Sequence, residues 1–372
     1  MKTTIIAILI SLSIPAFSQF DLNLNSQSGV TNVKNMDSSS FNTPLSQNFI
    51  NLSYDTDNSM SYYGGLGLMQ YFNLPERNFL SAYYGLSYST YTNKNEDASF
   101  NMYVNGLLRQ SLNDEDLSNS SQYAIGAQYI SQLSENSVIY LSDDINYKSY
   151  GMIKELNYLE NSAGITFNTS FETKTSLKIE SGLYSKIYSS LYDDQGNLIV
   201  TNSGKMNRKF NSLSNQLRYT VTIAQNVFEN TGLSFSVDGA YSIDNYDTPL
   251  DYIGFDFAGD NEFFDDPYSY DYNNFKLMLT QILPLDTKLS LSGNYADKYY
   301  NYFVVIDDEN DAQRIDYQSS LEINLSKTFN FEDTNISFLK IQLEYQAYLN
   351  KSNLGFMNFD GNFFLVGLQF GI

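Results

Sequence analysis

The chain has 372 residues, no cysteine, no histidine and a formal net charge of −21. The missing cysteines exclude disulfides and cysteine-linked lipids, and the missing histidines exclude Ser-His-Asp, Cys-His and His-metal chemistry. So acidic a chain is also a poor partner for nucleic acid or for an anionic membrane surface. Carboxylate-only or Ser-Lys chemistry stays open, but no pattern points to it, so the sequence predicts a protein that is not an enzyme.

The first 18 residues have the features of a secretory signal. Lys2 precedes an apolar stretch, and Ala16 and Ser18 occupy the −3 and −1 positions of a small-residue cleavage site before Gln19. The apolar stretch is too short for a membrane anchor, which needs about 20 residues. We therefore expect a signal peptide at 1–18 and, because no Pro/Gly/Ser-rich linker follows, one domain at 19–372.

The remainder of the chain is dominated by residues that favour strands. Tyrosine occurs 32 times and phenylalanine 26 times, against 6 prolines. Segments such as "LSAYYGLSY" at 80–88, "LKIESGLYSKI" at 177–187 and "LSFSVDGAYSI" at 233–243 alternate apolar and polar residues. A period of two sustained over such lengths predicts strands with one apolar and one polar face.

These patterns predict about 16 strands, with 14 as an alternative because the first third of the chain is less regular. The predicted strands lie near 19–27, 48–54, 61–72, 79–92, 99–111, 121–132, 137–150, 156–171, 175–191, 212–227, 232–243, 273–283, 287–303, 314–329, 336–349 and 362–372.

Short turns alternate with long polar loops along the chain. Short connections such as 134–136 and 172–174 alternate with long ones such as 192–211 and 244–272. This layout is typical of a transmembrane antiparallel up-and-down β-barrel, and an even strand number puts both termini in the periplasm. A periplasmic β-sandwich also has alternating strands. Apolar faces of about 9–11 residues and aromatic residues at strand ends favour the barrel.

Charged residues on the polar faces are the candidates for a channel lining. They either pair across neighbouring strands and hold the wall, or create a field that screens solutes at a constriction. Asp143 and Asp144 are adjacent, so one of them faces lipid unless a β-bulge corrects the register. The lumen-facing candidates are Arg109, Lys148, Lys178, Lys186, Arg218, Lys276, Lys340, Asp144, Glu180, Asp238, Glu322 and Glu344.

Segment 244–272 is unusually acidic and aromatic. It holds eight Asp, one Glu and no Lys or Arg. We expect an outer loop that folds into or over the mouth of the barrel, because its aromatic residues favour packing. Clustered carboxylates also suit Ca²⁺, although the spacing is not that of an EF-hand, and a solvated acidic loop is the alternative without an ion. No other cofactor is expected. The candidate calcium ligands are Asp256, Asp260, Glu262, Asp265 and Asp266.

The last strand, in "GNFFLVGLQFGI", keeps alternating to the end, with Phe364, Val366, Leu368 and Phe370 on one face. In this it resembles bacterial outer-membrane β-barrel proteins of the porin-like, Bacteroidota type, although Ile372 stands where these proteins commonly end in an aromatic. The resemblance implies a final strand read by the barrel-assembly machinery, and surroundings of outer-membrane lipid and lipopolysaccharide.

Together these features predict a channel for passive diffusion of small polar solutes. The excess acid in the outer loops predicts a preference for cations. The alternative is a surface-binding or structural barrel whose acidic, aromatic loop engages a partner or a glycan. Conductance separates the two functions, because a plugged barrel carries no current.

Overall fold

The computed structural model describes residues 20–35, 40–56, 59–92, 97–112, 119–151, 157–188, 213–243, 266–306, 311–331 and 336–371. These ranges contain 16 strands in one sheet. In chain order the strands are β1 (Phe20–Asn35), β2 (Ser40–Asp55), β3 (Met60–Tyr71), β4 (Phe79–Tyr91), β5 (Ala98–Ser111), β6 (Ser120–Ser134), β7 (Ser137–Tyr150), β8 (Tyr158–Ser170), β9 (Thr175–Tyr188), β10 (Leu213–Phe228), β11 (Thr231–Ser242), β12 (Tyr270–Leu283), β13 (Thr287–Ile306), β14 (Asp311–Asn330), β15 (Phe338–Ser352) and β16 (Phe359–Gly371).

The sheet closes into a barrel. Each strand pairs antiparallel with its neighbours in sequence, and β1 pairs with β16 from Asn23 opposite Gly371 to Asn35 opposite Phe359. Closure removes the unpaired edges that hydrocarbon does not tolerate. The up-and-down barrel of 16 strands is therefore confirmed, and both the 14-strand count and the sandwich are wrong.

Alternation sorts the side chains between the two faces of the wall. On β10 and β11, Val221 lies opposite Val237 on the outside, while Thr222 lies opposite Ser236 on the inside, with their hydroxyls 2.8 Å apart. Ile223 and Phe235 project outward and stay nearly half exposed, as does Leu343 on β15 to a smaller extent. Such broad apolar exposure fits a surface that faces lipid.

The two ends of the barrel differ in their connections. At the end where β1 begins and β16 finishes, here called the terminal end, the connections are short, such as the turn at 135–136 between β6 and β7. At the opposite end, here called the long-loop end, β9 is joined to β10 by 189–212 and β11 to β12 by 243–269. No helix within the described ranges has the length and apolar character needed to cross a membrane.

The first two strands are longer than predicted. Each has 16 residues, whereas the sequence predicts strands only at 19–27 and 48–54. The reason lies in their outward side chains, which include Ser26, Ser28 and Asn48 as well as apolar residues. Because polar residues then occupy both faces, the alternation that reveals the other strands is hidden here.

Asp143 faces outward, as the adjacent carboxylates at 143 and 144 require when no bulge intervenes. The register runs without a break from Ala127 on β6 through Asp143 to Ala163 on β8, so Asp143 lies outside and Asp144 inside. Asn161 on β8 also faces outward, and its amide donates to Asp143 at 2.9 Å. One of the two aspartates therefore lies on the outer face without a bulge, and a polar neighbour stabilises its carboxylate there.

A positive charge on the outer face tests the assignment of the two faces. Val221→Arg places a guanidinium halfway along β10, and we expect it to lower the free energy of unfolding by about 2–4 kcal/mol. Thr222→Arg is the matched control, because the next residue points into the wet interior. Urea titration of both variants refolded in phospholipid vesicles measures the difference, and equal losses would contradict the assignment.

The closing strand gives a second test. Val366 and Phe370 face outward from β16, and Phe370 lies between Leu24 on β1 and Leu339 on β15. We expect a Val366→Ser, Phe370→Ser double variant to reach the outer membrane at a small fraction of the normal level, because closure rests on this strand. Heat-modifiable mobility of membrane fractions provides the measurement. Normal levels would show that the apolar face of β16 is dispensable for assembly.

Candidate functional site

The inner face of the barrel carries the charges that the sequence places there. Alternation and register put all of these candidates on the inside: Arg109, Lys148, Lys178, Lys186, Arg218, Lys276, Lys340, Asp144, Glu180, Asp238, Glu322 and Glu344. The wall around them is rich in Ser, Thr, Asn and Gln. Such a lining suits a water-filled interior.

The ion pairs differ from the expected cross-strand pattern. Lys178 and Glu180, two positions apart on β9, form a partly exposed pair at 2.7 Å. Arg314 and Asp316 do the same on β14 at 2.5 Å, but there both side chains are buried. Neutral groups also contact carboxylates across neighbouring strands. Asn274, for example, donates to Asp238 at 2.9 Å.

Three of the candidates meet near the terminal end. Lys276, Lys340 and Glu322 line one recess of about 460 Å³ between β12 and β15. Lys288, which was not among the sequence candidates, lines the same recess. Ser292 donates to the carboxylate of Glu322 at 3.3 Å, and Gln342 donates to Glu344 at 3.4 Å. These carboxylates are thus stabilised by neutral donors on the wall.

The long-loop half of the lumen carries a set of cations that stack on aromatic rings. Lys298 and Arg314 in this set were missed, although both follow the inward register of their strands. Cation and ring attract each other most strongly when water is excluded. The set, here called the cationic arc, comprises Arg109 over Phe79 (4.0 Å), Lys148 over Tyr150 (5.1 Å), Lys186 over Tyr158 (4.1 Å), Arg218 over Tyr184 (4.3 Å), Lys298 over Tyr270 (4.3 Å) and Arg314 over Tyr300 (3.9 Å).

The wall across from most of this arc is apolar. Buried side chains from β2, β3, β4 and β16 form one cluster inside the barrel, and Leu74 and Phe363 pack against it. The interior therefore carries most of its stacked cations along one side and a buried apolar cluster, beside polar residues such as Gln27 and Thr31, along the other. The clustered residues are Leu45, Met69, Tyr71, Phe79 and Leu365.

The final part of the acidic loop enters the barrel. Asp266 is fully buried, and its carboxylate lies 3.2 Å from the ammonium of Lys186, which is itself only 2% exposed. The side chain of Gln216 on β10 donates to the carbonyls of Pro267 and Tyr270. We call this contact of residues 266–270 with the wall the loop latch.

Tyr268 completes the latch. Its hydroxyl donates to Glu160 on β8 at 2.8 Å, and its ring lies 4.7 Å from the guanidinium of Arg218. Burial and the nearby carboxylate of Glu160 raise the pKa of the Tyr268 hydroxyl far above its usual value. The hydroxyl of Tyr268 therefore stays protonated at physiological pH and can donate to Glu160.

The latch contains one of the five candidate calcium ligands of the acidic loop. Asp266 contacts the ammonium of Lys186. The other four candidate ligands, Asp256, Asp260, Glu262 and Asp265, lie outside the described residues. Among the residues that the structure describes, no group of three or more acidic side chains is suited to holding a metal ion.

Comparison with known proteins gives a match in fold only. No protein-family model matches the chain, and no curated protein matches it. Solved structures do match, among them OccAB1 of Acinetobacter baumannii (TM-score 0.55, 9% identity, 95% of this chain and 97% of that chain). OccK8 (OprE) of Pseudomonas aeruginosa matches similarly (TM-score 0.52, 10% identity, 95% and 98% of the two chains). So does OpdK of P. aeruginosa with vanillate (TM-score 0.51, 10% identity, 95% and 99%).

These matches show a likeness in fold alone. At such low identity the likeness covers the backbone of the whole barrel and does not extend to the residues of the lumen. The function of the lumen therefore has to be argued from its own side chains.

The buried ion pair of the latch gives a measurable prediction. Lys186→Met leaves the carboxylate of Asp266 buried without its counter-charge, a change that costs about 3–5 kcal/mol. We expect faster hydrogen exchange at the amides of Tyr268 and Ser269, which bond to Asp266. Adding Asp266→Asn should restore part of the protection.

Lys178→Met is the matched control for this variant. The Lys178–Glu180 pair is 47% and 38% exposed, and exposed pairs contribute about 0–1 kcal/mol. Equal effects of the two methionine substitutions on the exchange at 266–270 would show that the latch does not depend on its ion pair.

Proposed function

We propose that this protein is an outer-membrane porin-like channel for passive diffusion of small polar solutes, with a preference for cations. The observation that carries the proposal is the closed barrel of 16 strands with an apolar outside and a polar, charged inside. Eight strands leave room only for side chains, whereas about 16–18 strands leave an aqueous channel. The strand number therefore supports passage through the lumen.

The described interior supports a narrowed channel. The loop latch brings residues 266–270 against the inner face of β8 to β10, on the side where the cationic arc lies. Residues held at the wall in this way reduce the free cross-section at the long-loop end. Solutes then pass between charged groups and the apolar cluster of the opposite wall.

The preference for cations is supported by where the unbalanced acid lies. Within the arc, Lys186 and Arg314 are buried beside carboxylates, so their charges are largely neutralised locally. Segments 244–265 and 307–310 at the long-loop end contain ten Asp and Glu and no Lys or Arg. An acidic rim raises the local concentration of cations, and the effect fades as salt shortens the Debye length to about 3 Å at 1 M.

The competing outcome is that the cationic arc selects anions from within. Arg109, Lys148, Arg218 and Lys298 face the lumen together with Lys186 and Arg314. OpdK, which is similar in fold, was solved with vanillate, a small anion, which is consistent with the arc as the selecting element. The sign of the selectivity therefore decides between the rim and the wall.

Reversal potentials across a planar bilayer in a KCl gradient show whether the channel prefers cations or anions. We expect cation preference at low salt, reduced several-fold when Asp256, Asp260, Glu262 and Asp265 are changed to their amides. Asp266 stays unchanged to preserve the latch.

A control variant carries amides at four acids of the terminal-end connections and so has the same net charge. We expect it to keep most of the preference. Anion preference that the loop variant leaves unchanged would assign selectivity to the cationic arc and contradict a role for the acidic loop segments. The control substitutions are Asp97→Asn, Glu135→Gln, Glu172→Gln and Glu229→Gln.

A barrel that inserts but carries no current would favour the second function, a surface-binding or structural barrel whose loop engages a partner or glycan.

The route to the membrane belongs to the same proposal. We infer cleavage of a Sec-type signal between Ser18 and Gln19, which lie outside the described residues, and insertion by the barrel-assembly machinery through β16. The Bacteroidota-type resemblance of the final strand is likewise part of this proposal. Mass spectrometry of the protein recovered from outer membranes tests the cleavage, because the mature chain would begin at Gln19.

A further inference from the structure

Four small polar side chains project from the outer face of β1 and β2, halfway along both strands. Ser26 lies opposite Asn48, and Ser28 lies opposite Ser46. Ser26 donates to the Asn48 carbonyl oxygen at 2.8 Å, the Asn48 amide donates to Ser46 at 3.1 Å, and Ser28 approaches Ser46 at 3.5 Å. These four residues are here called the polar island.

Most outward neighbours of the island are apolar, the exception among the directly paired ones being Gln70 on β3, opposite Ser46. On β16, Val366 and Leu368 lie directly opposite Ser28 and Ser26, and Leu68 on β3 lies opposite Asn48. Leu24 and Ile50 lie on the terminal-end side of the island, and Val30 and Pro44 lie on the long-loop side. The island therefore has apolar residues toward both ends of its strands, and it adjoins Gln70 on its β3 side.

This position is unfavourable against lipid alone. An asparagine side chain has two N–H donors and can accept two hydrogen bonds, and inside the island Asn48 uses one of each. Acyl chains offer no partner for the remaining groups, and polar side chains at this depth mark contacts with other protein. We propose that the polar island is the contact surface between two copies of this chain in the membrane.

Charge and chemistry select a second copy as the occupant. In a two-fold contact a surface meets itself, so it must hold both donors and acceptors and must not bring like charges together. The island meets both conditions, because its hydroxyls and amide carry no formal charge. Another outward polar group in mid-strand, Asp143 with Asn161 on β7 and β8, fails the second condition, since self-contact there brings two carboxylates together.

Shape supports the same occupant. Ser26 and Ser28 are exposed and short, and Gly64 on β3 also faces outward beside Leu52. Two barrels can therefore approach closely at this face, and the exposed side chains of Leu66, Val366 and Leu368 can pack around the polar contact.

The chain contains no cysteine, so single cysteines report contacts cleanly. Ser28→Cys and Ser46→Cys are nearly isosteric, and in native outer membranes we expect both to form dimers with a short bismaleimide. Ile223→Cys and Ser185→Cys, outward positions on the far side of the barrel, serve as controls and should give less than a tenth of that yield. The band must have twice the mass of the chain.

A second variant tests the hydrogen bonds themselves. Asn48→Leu in the Ser46→Cys background keeps the surface apolar and removes the amide, and we expect the dimer yield to fall at least fivefold while heat-modifiable mobility stays normal. Equal yields at Ile223→Cys, no dimer at either island cysteine, or a product of another mass would each overturn the proposal. The channel measurements do not bear on this result, because they read the lumen and not the outer face.

Discussion

Closure of the sheet is the constraint on which the rest of this structure depends. Every strand needs hydrogen-bonding partners on both sides in a medium that offers none, so β1 must find β16 across the whole length of the chain. Once the ring is closed, each strand has one face toward lipid and one toward the lumen. The composition follows from this, with Ser, Asn, Thr and Gln inside and Leu, Ile, Val and Tyr outside.

The same closure confines charge. A lysine that is buried inside the barrel lies away from bulk water, and a ring, a carboxylate or both stabilise its charge, as at Lys186 between Tyr158 and Asp266. Such contacts recur along the long-loop half of the wall and draw a piece of the longest acidic loop inward. The latch thus follows from the burial of cations, and it places residues 266–270 inside the lumen, where solutes would pass.

The fold was largely predictable from the sequence, because alternation in segments such as 217–223 and 233–243 reports directly which residues face lipid. The site was less predictable. The inward register identifies Arg218 and Lys186, but nothing local reveals that Asp266 and Tyr268 reach them, since those contacts join residues about fifty or more positions apart. Long-range contacts of a loop depend on closure of the barrel, and they produce no periodic pattern in the sequence.

The two regions where apolar and polar residues do not alternate regularly have a common cause. The second strand was underestimated at 48–54 because Ser46 faces outward, and a bulge at Asp143 was an alternative because a carboxylate there breaks the lipid-facing pattern. In both regions the outer face is polar, and in both the polar groups bond to one another. Prediction from alternation assumes that lipid is the only neighbour of the outer face. A polar outward group in mid-strand is evidence against that assumption, and the uncharged island on β1 and β2 is where the evidence for a protein neighbour is strongest.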